Sequence, residues 1–197
     1  MKATSSALEA GDTKLIILRA ARELIQTRSY LGLSFQELAD RVGIRKASLY
    51  HHFPSKEALG IAVLERSNEQ FGKWVASMQG TPQAQLSAYI AMFRDVLGAG
   101  QRVCPAGAMG PGWDSIEPGL QQAVRQMRQR QIDWLTIVLA QIKSSRVTKQ
   151  GEPAQLAAEV FALCQGALLS ARMTGRREDF EAAVAPLMEQ LHLPPLP

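Results

Sequence analysis

Residues 34–60 read SFQELADRVGIRKASLYHHFPSKEALG, and this pattern predicts a helix, a tight turn, a second short helix and the start of a third. Ser34 followed three residues later by Glu37 forms a capping box, which marks the N-terminus of a helix. Gly43 suits the left-handed residue that ends a helix, and Ser55 can cap the next one. The stretch is therefore expected to form a helix-turn-helix with a further helix leaving it.

The second of these helices is too short to be stable alone and needs apolar residues on one side to hold it. Its other side carries hydrogen-bond donors, cations and flat rings. Residues 41–56 contain four Lys and Arg, and the next acid is Glu57. Such an edge is typical of a recognition helix that enters the major groove of DNA. The exposed set is expected to be Gln36, Arg45, Lys46, Ser48, Tyr50, His51, His52 and Lys56.

The charge of the chain is concentrated in the same place. The 197 residues have a formal net charge of +4, which alone is a weak indication of nucleic-acid binding. Residues 1–60 carry nine Lys and Arg against six Asp and Glu, whereas residues 61–197 carry thirteen against twelve. With 46% hydrophobic and 20% charged residues, the composition is that of a globular protein.

Several classes of protein do not fit the sequence. No apolar stretch approaches the roughly 20 residues of a membrane span, and the polar N-terminus lacks the apolar core of a signal peptide. Cys104 and Cys164 make no disulfide framework. Two of the three histidines, His51 and His52, belong to the motif, and His192 lies in the tail. We therefore expect a cytoplasmic protein with no metal, no cofactor and no membrane contact.

The rest of the chain predicts helices and no strand, because no segment alternates with period two. Residues 1–12 are expected to be a flexible arm, with Asp12 or Thr13 capping the first helix. Six glycines and three prolines exclude a long helix between residues 98 and 119, and a polar loop is expected at 144–153. Later helices are expected at about 55–80, 82–98, 118–143, 153–174 and 178–191.

The run A-D-R-V-G-I-x-K-x-S-L-Y-H-H-F-x-S-K-E-A-L, with ILRAARELI before it, resembles the DNA-binding signature of the tetracycline-repressor (TetR/AcrR) family of bacterial transcriptional regulators. The likeness runs from Lys14 to Leu64 and is weaker beyond. It implies an all-α fold in which an N-terminal three-helix DNA-binding domain precedes a larger helical ligand-binding and dimerisation domain. We accordingly divide the chain into an arm at 1–12, a DNA-binding domain at 13–60 and a regulatory domain at 61–197.

The resemblance also implies how DNA is contacted. Positions that match the family's phosphate contacts are Tyr50, His51 and Lys56, and Ser48 can add a hydroxyl group. Arg and Lys suit guanine edges and Gln suits adenine edges in the major groove. Base contacts are therefore expected from Gln36, Arg45 and Lys46.

In the second part of the chain, two late amphipathic helices can meet their symmetry mates as a four-helix bundle, and the resemblance likewise implies a homodimer. Its two recognition helices, about 34–36 Å apart, would read a pseudo-palindromic operator in double-stranded DNA. The resemblance further implies that a small-molecule effector binds between helices and releases the DNA, so we expect a repressor. Candidate lining residues, each of which could also be ordinary core, are Trp74, Tyr89, Phe93, Met109, Trp113, Met127, Trp134, Phe161 and Met173.

Cys104 offers an alternative to a pocket ligand. It lies in a cation-flanked loop, where a thiol can be reactive, and its surroundings are similar to a branch of the family in which a comparable cysteine senses electrophiles or oxidants. It could equally be a small packing residue at a kink. An enzyme with Cys104 as nucleophile would need a nearby base, and His51, His52 and His192 are placed elsewhere. We therefore expect no enzyme.

Overall fold

The computed structural model describes residues 2–142 and 153–197, with side chains from residue 12 onward. Over these residues it contains α-helices and two short 3-10 turns and no strand, so the all-α prediction is confirmed. The predicted polar loop at 144–153 lies, except for its last residue, outside the described residues. The helices are α1 (Lys2–Arg28), α2 (Phe35–Val42), α3 (Lys46–His52), α4 (Lys56–Ser77), α5 (Pro82–Val96), α6 (Pro118–Ala140), α7 (Pro153–Thr174) and α8 (Arg177–Gln190).

The first helix begins earlier than the sequence suggested. α1 starts at Lys2 and continues through Gly11 and Asp12, so the expected start at Asp12 or Thr13 is wrong. Residues 3–10 include three alanines, a leucine and a glutamate, which favour helix, and one interior glycine costs only about 1 kcal/mol. The flexibility expected for the arm at 1–12 stays a prediction.

The head, which we define as α1, α2 and α3, follows the predicted signals closely. The Ser34 hydroxyl accepts hydrogen bonds from the backbone N–H groups of Gln36 (3.2 Å) and Glu37 (3.5 Å). The capping box is only half formed, because the Glu37 carboxylate pairs with Arg28 instead of turning back. Gly43 ends α2 with φ +77°, the left-handed conformation that glycine adopts without strain.

α4 joins the head to the rest of the molecule. The Ser55 hydroxyl accepts a hydrogen bond from the N–H of Ala58 at 3.0 Å and starts the helix. The expected domain boundary at residue 60 falls inside this continuous helix and stays a prediction. Gly60 lets α4 approach its neighbours, since a Cβ there would lie 3.1 Å from the side chains of Tyr30 and Leu120.

The irregular segment 97–117 is tied to α1. The Gln26 side chain donates to the carbonyl of Val103 at 3.1 Å, and the Val103 N–H donates to the Gln26 carbonyl at the same distance. The N–H of Tyr30 donates to the Ala108 carbonyl at 3.3 Å. This glycine-rich stretch is therefore a packed wall, because its backbone groups are paired with the end of α1.

α7 is the most apolar of the described helices. By length and composition alone it could cross a membrane, which the sequence analysis did not anticipate. Its inner face is buried against α6 and α8 through Leu156, Val160, Cys164 and Leu168. The helix thus packs as a core element, and this packing accounts for its apolar composition.

One side of α7 is not covered by the rest of the described chain. Ala162, Gly166, Leu169 and Met173 recur at helical spacing along one side and are exposed, and Met173 is 77% exposed. The following helix α8 also presents small residues outward, among them Ala182 and Ala185. The α7–α8 hairpin therefore keeps one apolar face toward solvent.

Candidate nucleic-acid interface and effector cavity

α3 is held by its apolar side and shows its polar side. Leu49 is fully buried and Phe53 is 3% exposed, so these two pack in the core of the head as expected. The opposite side forms the basic edge, which we define as Arg45, Lys46, Ser48, Tyr50 and His51, all exposed. Seven residues are too few for a stable helix alone, so the anchoring by Leu49 and Phe53 holds the edge in place.

Tyr50 is presented as a half-exposed ring with a fixed direction. Its ring centroid lies 4.9 Å from that of Phe35, tilted by 52°, and 48% of the residue remains exposed. The contact with Phe35 restricts rotation of the Tyr50 ring before any DNA is bound, and half of the residue stays in solvent. His51 and His52 stand edge to face with centroids 5.9 Å apart, and His52 is partly buried.

Lys56 is less free than the sequence suggested. Its Nζ donates to the Leu31 carbonyl at 3.2 Å and lies 4.6 Å from the centroid of the Tyr30 ring. Partial burial lowers the pKa of the Lys56 ammonium group, and Glu117 opposes that shift. The ammonium is thus positioned at the first turn of α4, where the unpaired N–H groups of the helix also favour anions.

Two further polar side chains of the head, Gln36 and Arg41, already have partners. Gln36 donates through Nε2 to Asp40 Oδ1 at 2.8 Å along α2. Arg41 is joined to Glu23 of α1 at 2.8 Å, so this cation of the motif braces α1 against α2. The contacts expected of Gln36 would require it to exchange Asp40 for a base, and they stay a prediction.

One cation near the basic edge was missed in the sequence. The Nζ of Lys14 in α1 lies 5.6 Å from the centroid of the Phe53 ring, at the junction between α3 and α4. Its exposure is visible from the helical period of α1. The crossing that brings it to α3 depends on the packing of the head, so no local signal places it there.

The second domain contains an inner cavity of about 220 Å³ between α1, α4, α5, α6 and the irregular segment. Three of the expected ligand-lining residues, Trp74, Phe93 and Met127, meet around it. Cys104, only 3% exposed, forms part of the same wall. The remaining lining residues are Arg22, Ser67, Gln70, Phe71, Met92, Val96, Pro105 and Gln131.

The other candidates for ligand binding are dispersed. Tyr89 and Trp134 stack behind the cavity, with centroids 5.5 Å apart, and the Tyr89 hydroxyl donates to Gln131 at 2.9 Å. Met109 is fully buried, and Met173 is the exposed residue of α7. Two more lie apart from this cavity: Phe161 lines a separate apolar cavity of about 370 Å³ beside α7, and Trp113 sits beneath the guanidinium of Arg125.

An outer cleft of about 610 Å³ opens next to the inner cavity. Both are lined by Arg22, Trp74, Met92 and Val96, so the cleft is the approach to the inner cavity. Its rim adds two further arginines, Arg19 and Arg102, and two acids, Glu23 and Asp95.

The cysteines differ in setting. Cys164 in α7 is fully buried, and burial raises the pKa of its thiol to about 12, so it stays protonated and unreactive at neutral pH. Cys104 lies at the junction of cavity and irregular segment instead. The thiol of Cys104 lines the inner cavity, which shares four lining residues with the outer cleft.

The helix-turn-helix geometry and the exposed basic edge together define a DNA-binding protein of the helix-turn-helix class. Residues 17–63 match the family described as bacterial regulatory proteins, tetR family. The chain is 27% identical over 188 residues to the HTH-type transcriptional repressor NemR of Escherichia coli K12, covering 88% of this chain and 91% of that protein. It is 31% identical over 107 residues to the HTH-type transcriptional regulator EthR of Mycolicibacterium smegmatis, covering 52% and 49%.

Solved structures agree over almost the whole length. A TetR-family transcriptional regulator from Agrobacterium tumefaciens has a TM-score of 0.81 and 28% identity, covering 91% of this chain and 97% of that one. The reduced form of Escherichia coli NemR has a TM-score of 0.74 and 24% identity, covering 90% and 96%, which bears on the fold alone. The family match over residues 17–63 and the likeness to these regulators along almost the whole length support a regulator of the tetR family. This chain is a DNA-binding regulator and not an enzyme, as the sequence predicted.

Proposed function

We propose that this protein is a homodimeric repressor that leaves its operator when a small molecule occupies the inner cavity. The observation that carries the proposal is the course of α4. This helix begins at Lys56 beside the basic edge and reaches Phe71 and Trp74 in the cavity wall. At 1.5 Å per residue, its 22 residues span about 33 Å. One continuous element thus touches both sites.

The DNA contacts are proposed in two groups. Tyr50, His51 and Lys56 hold phosphates, helped by the Ser48 hydroxyl and the first N–H groups of α4. Arg45 and Lys46 read guanine edges, because they are exposed at the start of α3, the end of a recognition helix that enters the groove first. Gln36 reads a base only after releasing Asp40.

Dimerisation is proposed through the open face of the α7–α8 hairpin. The exposed residues Ala162, Gly166, Leu169 and Met173 supply an apolar stripe with small residues that allow close approach. A second copy related by a two-fold axis would bury the same stripe on both chains. The two basic edges would then face successive major grooves of a pseudo-palindromic operator.

Release follows from the difference in ligand affinity between two arrangements of the same helices. A ligand shifts the equilibrium only as far as it binds one arrangement better than the other. A molecule in the inner cavity presses on Phe71 and Trp74 and thereby moves α4. The Tyr30 hydroxyl, which donates to Glu117 at 2.8 Å, adds a second link between the head and α6. Acting on DNA inside the cell, the protein would work in the cytoplasm.

The alternative trigger is modification of Cys104. The position of the thiol supports this alternative. Cys104 lies in the wall of the inner cavity together with Arg22, and the positive charge of Arg22 attracts the negative charge of a Cys104 thiolate. The thiolate would add to the activated carbon–carbon double bond of an electrophile such as a maleimide: a carbon–sulfur bond forms, the π bond breaks and the resulting carbanion takes a proton from water. The adduct would then fill the cavity.

Cys104→Ser tests this alternative. We expect N-ethylmaleimide to release the unchanged protein from operator DNA and to leave the variant bound. Cys164→Ser is the matched control and should respond like the unchanged protein, because its thiol is buried and protonated. Release of the Cys104→Ser variant by the same reagent would eliminate the thiol mechanism and leave the reversible ligand.

The main proposal is tested by selecting bound sequences from random double-stranded DNA with the purified full chain. We expect a two-fold symmetric site of about 15–30 base pairs, bound more weakly as salt rises. Selection of a short asymmetric site would contradict the dimer, and salt-independent binding would contradict the phosphate contacts.

A further inference from the structure

The inner cavity contains a cation with an unused hydrogen-bond donor. Arg22 of α1 donates through Nη1 to Gln70 Oε1 at 2.8 Å. Its Nε is buried and has no hydrogen-bond partner among the described residues. A buried donor without a partner destabilises the native state, and more so on a charged group, unless a hydrogen-bond acceptor occupies the position.

The surroundings of Arg22 are positive and are not balanced by the acids of the cleft. Burial lowers the pKa of the Arg22 guanidinium, a negative charge on Cys104 opposes that shift, and the charges of Arg102 and Arg66 lower the pKa further. The two rim acids point to other partners: Glu23 pairs with Arg41 at 2.8 Å.

The second rim acid, Asp95, pairs with Arg94 at 2.9 Å and with Arg177 at 3.5 Å. Neither Arg22 nor Arg102 forms an ion pair with a carboxylate in the described part of the chain. An added anion would therefore meet attraction at the junction of the cleft and the cavity, where partial exclusion of water strengthens it.

Apart from Arg22, Ser67, Gln70 and Gln131, the residues that line the cavity are Cys104, Pro105 and the aromatic, methionine and valine side chains of three helices. Phe71, Trp74 and Phe93 form its aromatic walls, and Met92 and Met127 complete them with adaptable thioethers. An apolar cavity of about 150 Å³ is enough for a benzene ring. The inner cavity, at about 220 Å³, therefore has room for one substituted ring, and the outer cleft has room for a longer chain.

Resting on the proposed function, we infer that the effector is an aromatic carboxylate whose acid group is bound by the Arg22 guanidinium and whose ring fills the inner cavity. The carboxylate accepts from Arg22 Nε and from Nη2 on the same edge of the guanidinium, while Nη1 keeps its hydrogen bond to Gln70. This fork-like pairing is the strong geometry of arginine with carboxylates. The ring then lies against Trp74 and Phe71, the two α4 residues through which release is proposed.

The test uses benzoate and 3-phenylpropionate, each against its neutral amide, with the full chain in calorimetric titration. Loss of a charge-assisted hydrogen bond costs tenfold or more in affinity. We expect each acid to bind at least about tenfold more tightly than its amide, and Arg22→Gln to remove this preference. Arg125→Gln is the control, because it removes an equal charge from an exposed position over Trp113. Equal binding of acid and amide, or no binding of either acid, would overturn the inference.

A second variant guards against misfolding of Arg22→Gln. Gln70 is exposed, so Gln70→Glu should fold normally while placing a carboxylate on Arg22. We expect it to weaken both acids about tenfold and to leave the amides unchanged. Undiminished binding of the acids to this variant would contradict the role of Arg22.

Operator DNA separates this inference from the proposed function. Release by neutral aromatic compounds without any acid binding would overturn the aromatic carboxylate and leave the ligand-released repressor intact. Acid binding that depends on Arg22 but leaves the DNA bound would support the site and overturn release by its ligand.

Discussion

The head and the regulatory domain place their functional side chains in opposite ways. The basic edge is carried by a seven-residue helix and its N-cap residue, and all five of its side chains are exposed. The inner cavity is walled mainly by buried and half-buried residues from four helices and the irregular segment. A surface site needs only a few anchoring residues, whereas a cavity depends on the mutual packing of distant parts of the chain. The head should therefore be locally fragile, and the cavity collectively stable.

The largest expected effect tests this difference with one substitution made in both regions. Leu49→Ala removes the fully buried anchor of α3, and such truncations cost about 2–5 kcal/mol. We expect it to unfold the head locally and abolish operator binding. Leu135→Ala, at a fully buried position of α6, is the matched control. It should lower the free energy of unfolding by a similar amount and keep DNA binding at low temperature, as measured by urea denaturation and fluorescence anisotropy. Intact DNA binding by Leu49→Ala would contradict the expected difference in local stability between the head and the cavity.

A smaller effect distinguishes base contacts from phosphate contacts within the head. Lys46→Ala should cost about 1–3 kcal/mol at one base-pair step, because Lys46 is exposed at the start of α3. Binding to a panel of operators mutated one step at a time measures this. Lys73→Ala, an exposed cation further along α4, should leave every operator unaffected. A uniform loss across all operators would assign Lys46 to phosphate instead.

Lys56 should behave in the opposite manner. Lys56→Ala removes an ammonium held over Tyr30 at the first turn of α4, so it should weaken all operators alike by a few-fold. The slope of log affinity against log salt should fall by about 0.9 for one lost phosphate contact. Titration at several salt concentrations gives that slope. A change in base preference with an unaltered slope would show that Lys56 does not hold phosphate.

The same contrast explains what could be predicted from the sequence. Ser34 and Gly43 predicted the two ends of α2, and Ser55 predicted the start of α4. These ends could be predicted because caps and turns are set by residues within a few positions of each other. The cavity depends on contacts such as Gln26 with Val103, which are 77 residues apart. Of the candidates for ligand binding, Trp74, Phe93 and Met127 lie together in the cavity wall, and their contact with a ligand stays a prediction. Composition could not exclude Trp113, nor find Arg22, because both depend on how α1 crosses the irregular segment.

The smallest expected effect concerns the joint between the two regions. The Tyr30 hydroxyl donates to Glu117, the N-cap residue of α6. Tyr30→Phe should therefore lower the free energy of unfolding by about 1 kcal/mol. It should also increase the effector concentration needed for release if this joint transmits the signal.

The pH dependence of the free energy of unfolding gives a second test of the Tyr30–Glu117 hydrogen bond. Burial, followed by the hydrogen bond to Glu117 and its charge, raises the pKa of Tyr30. The native state then keeps the proton where the unfolded chain loses it, so stability falls as pH rises above about 10. Tyr30→Phe should flatten that fall between about pH 10 and pH 12 in urea denaturation. Tyr89→Phe is the control, because burial raises the pKa of that residue too. Tyr89→Phe should flatten the fall in stability without changing how the head is joined to α6. An unchanged pH profile in Tyr30→Phe would exclude the Tyr30–Glu117 hydrogen bond as a stabilising link.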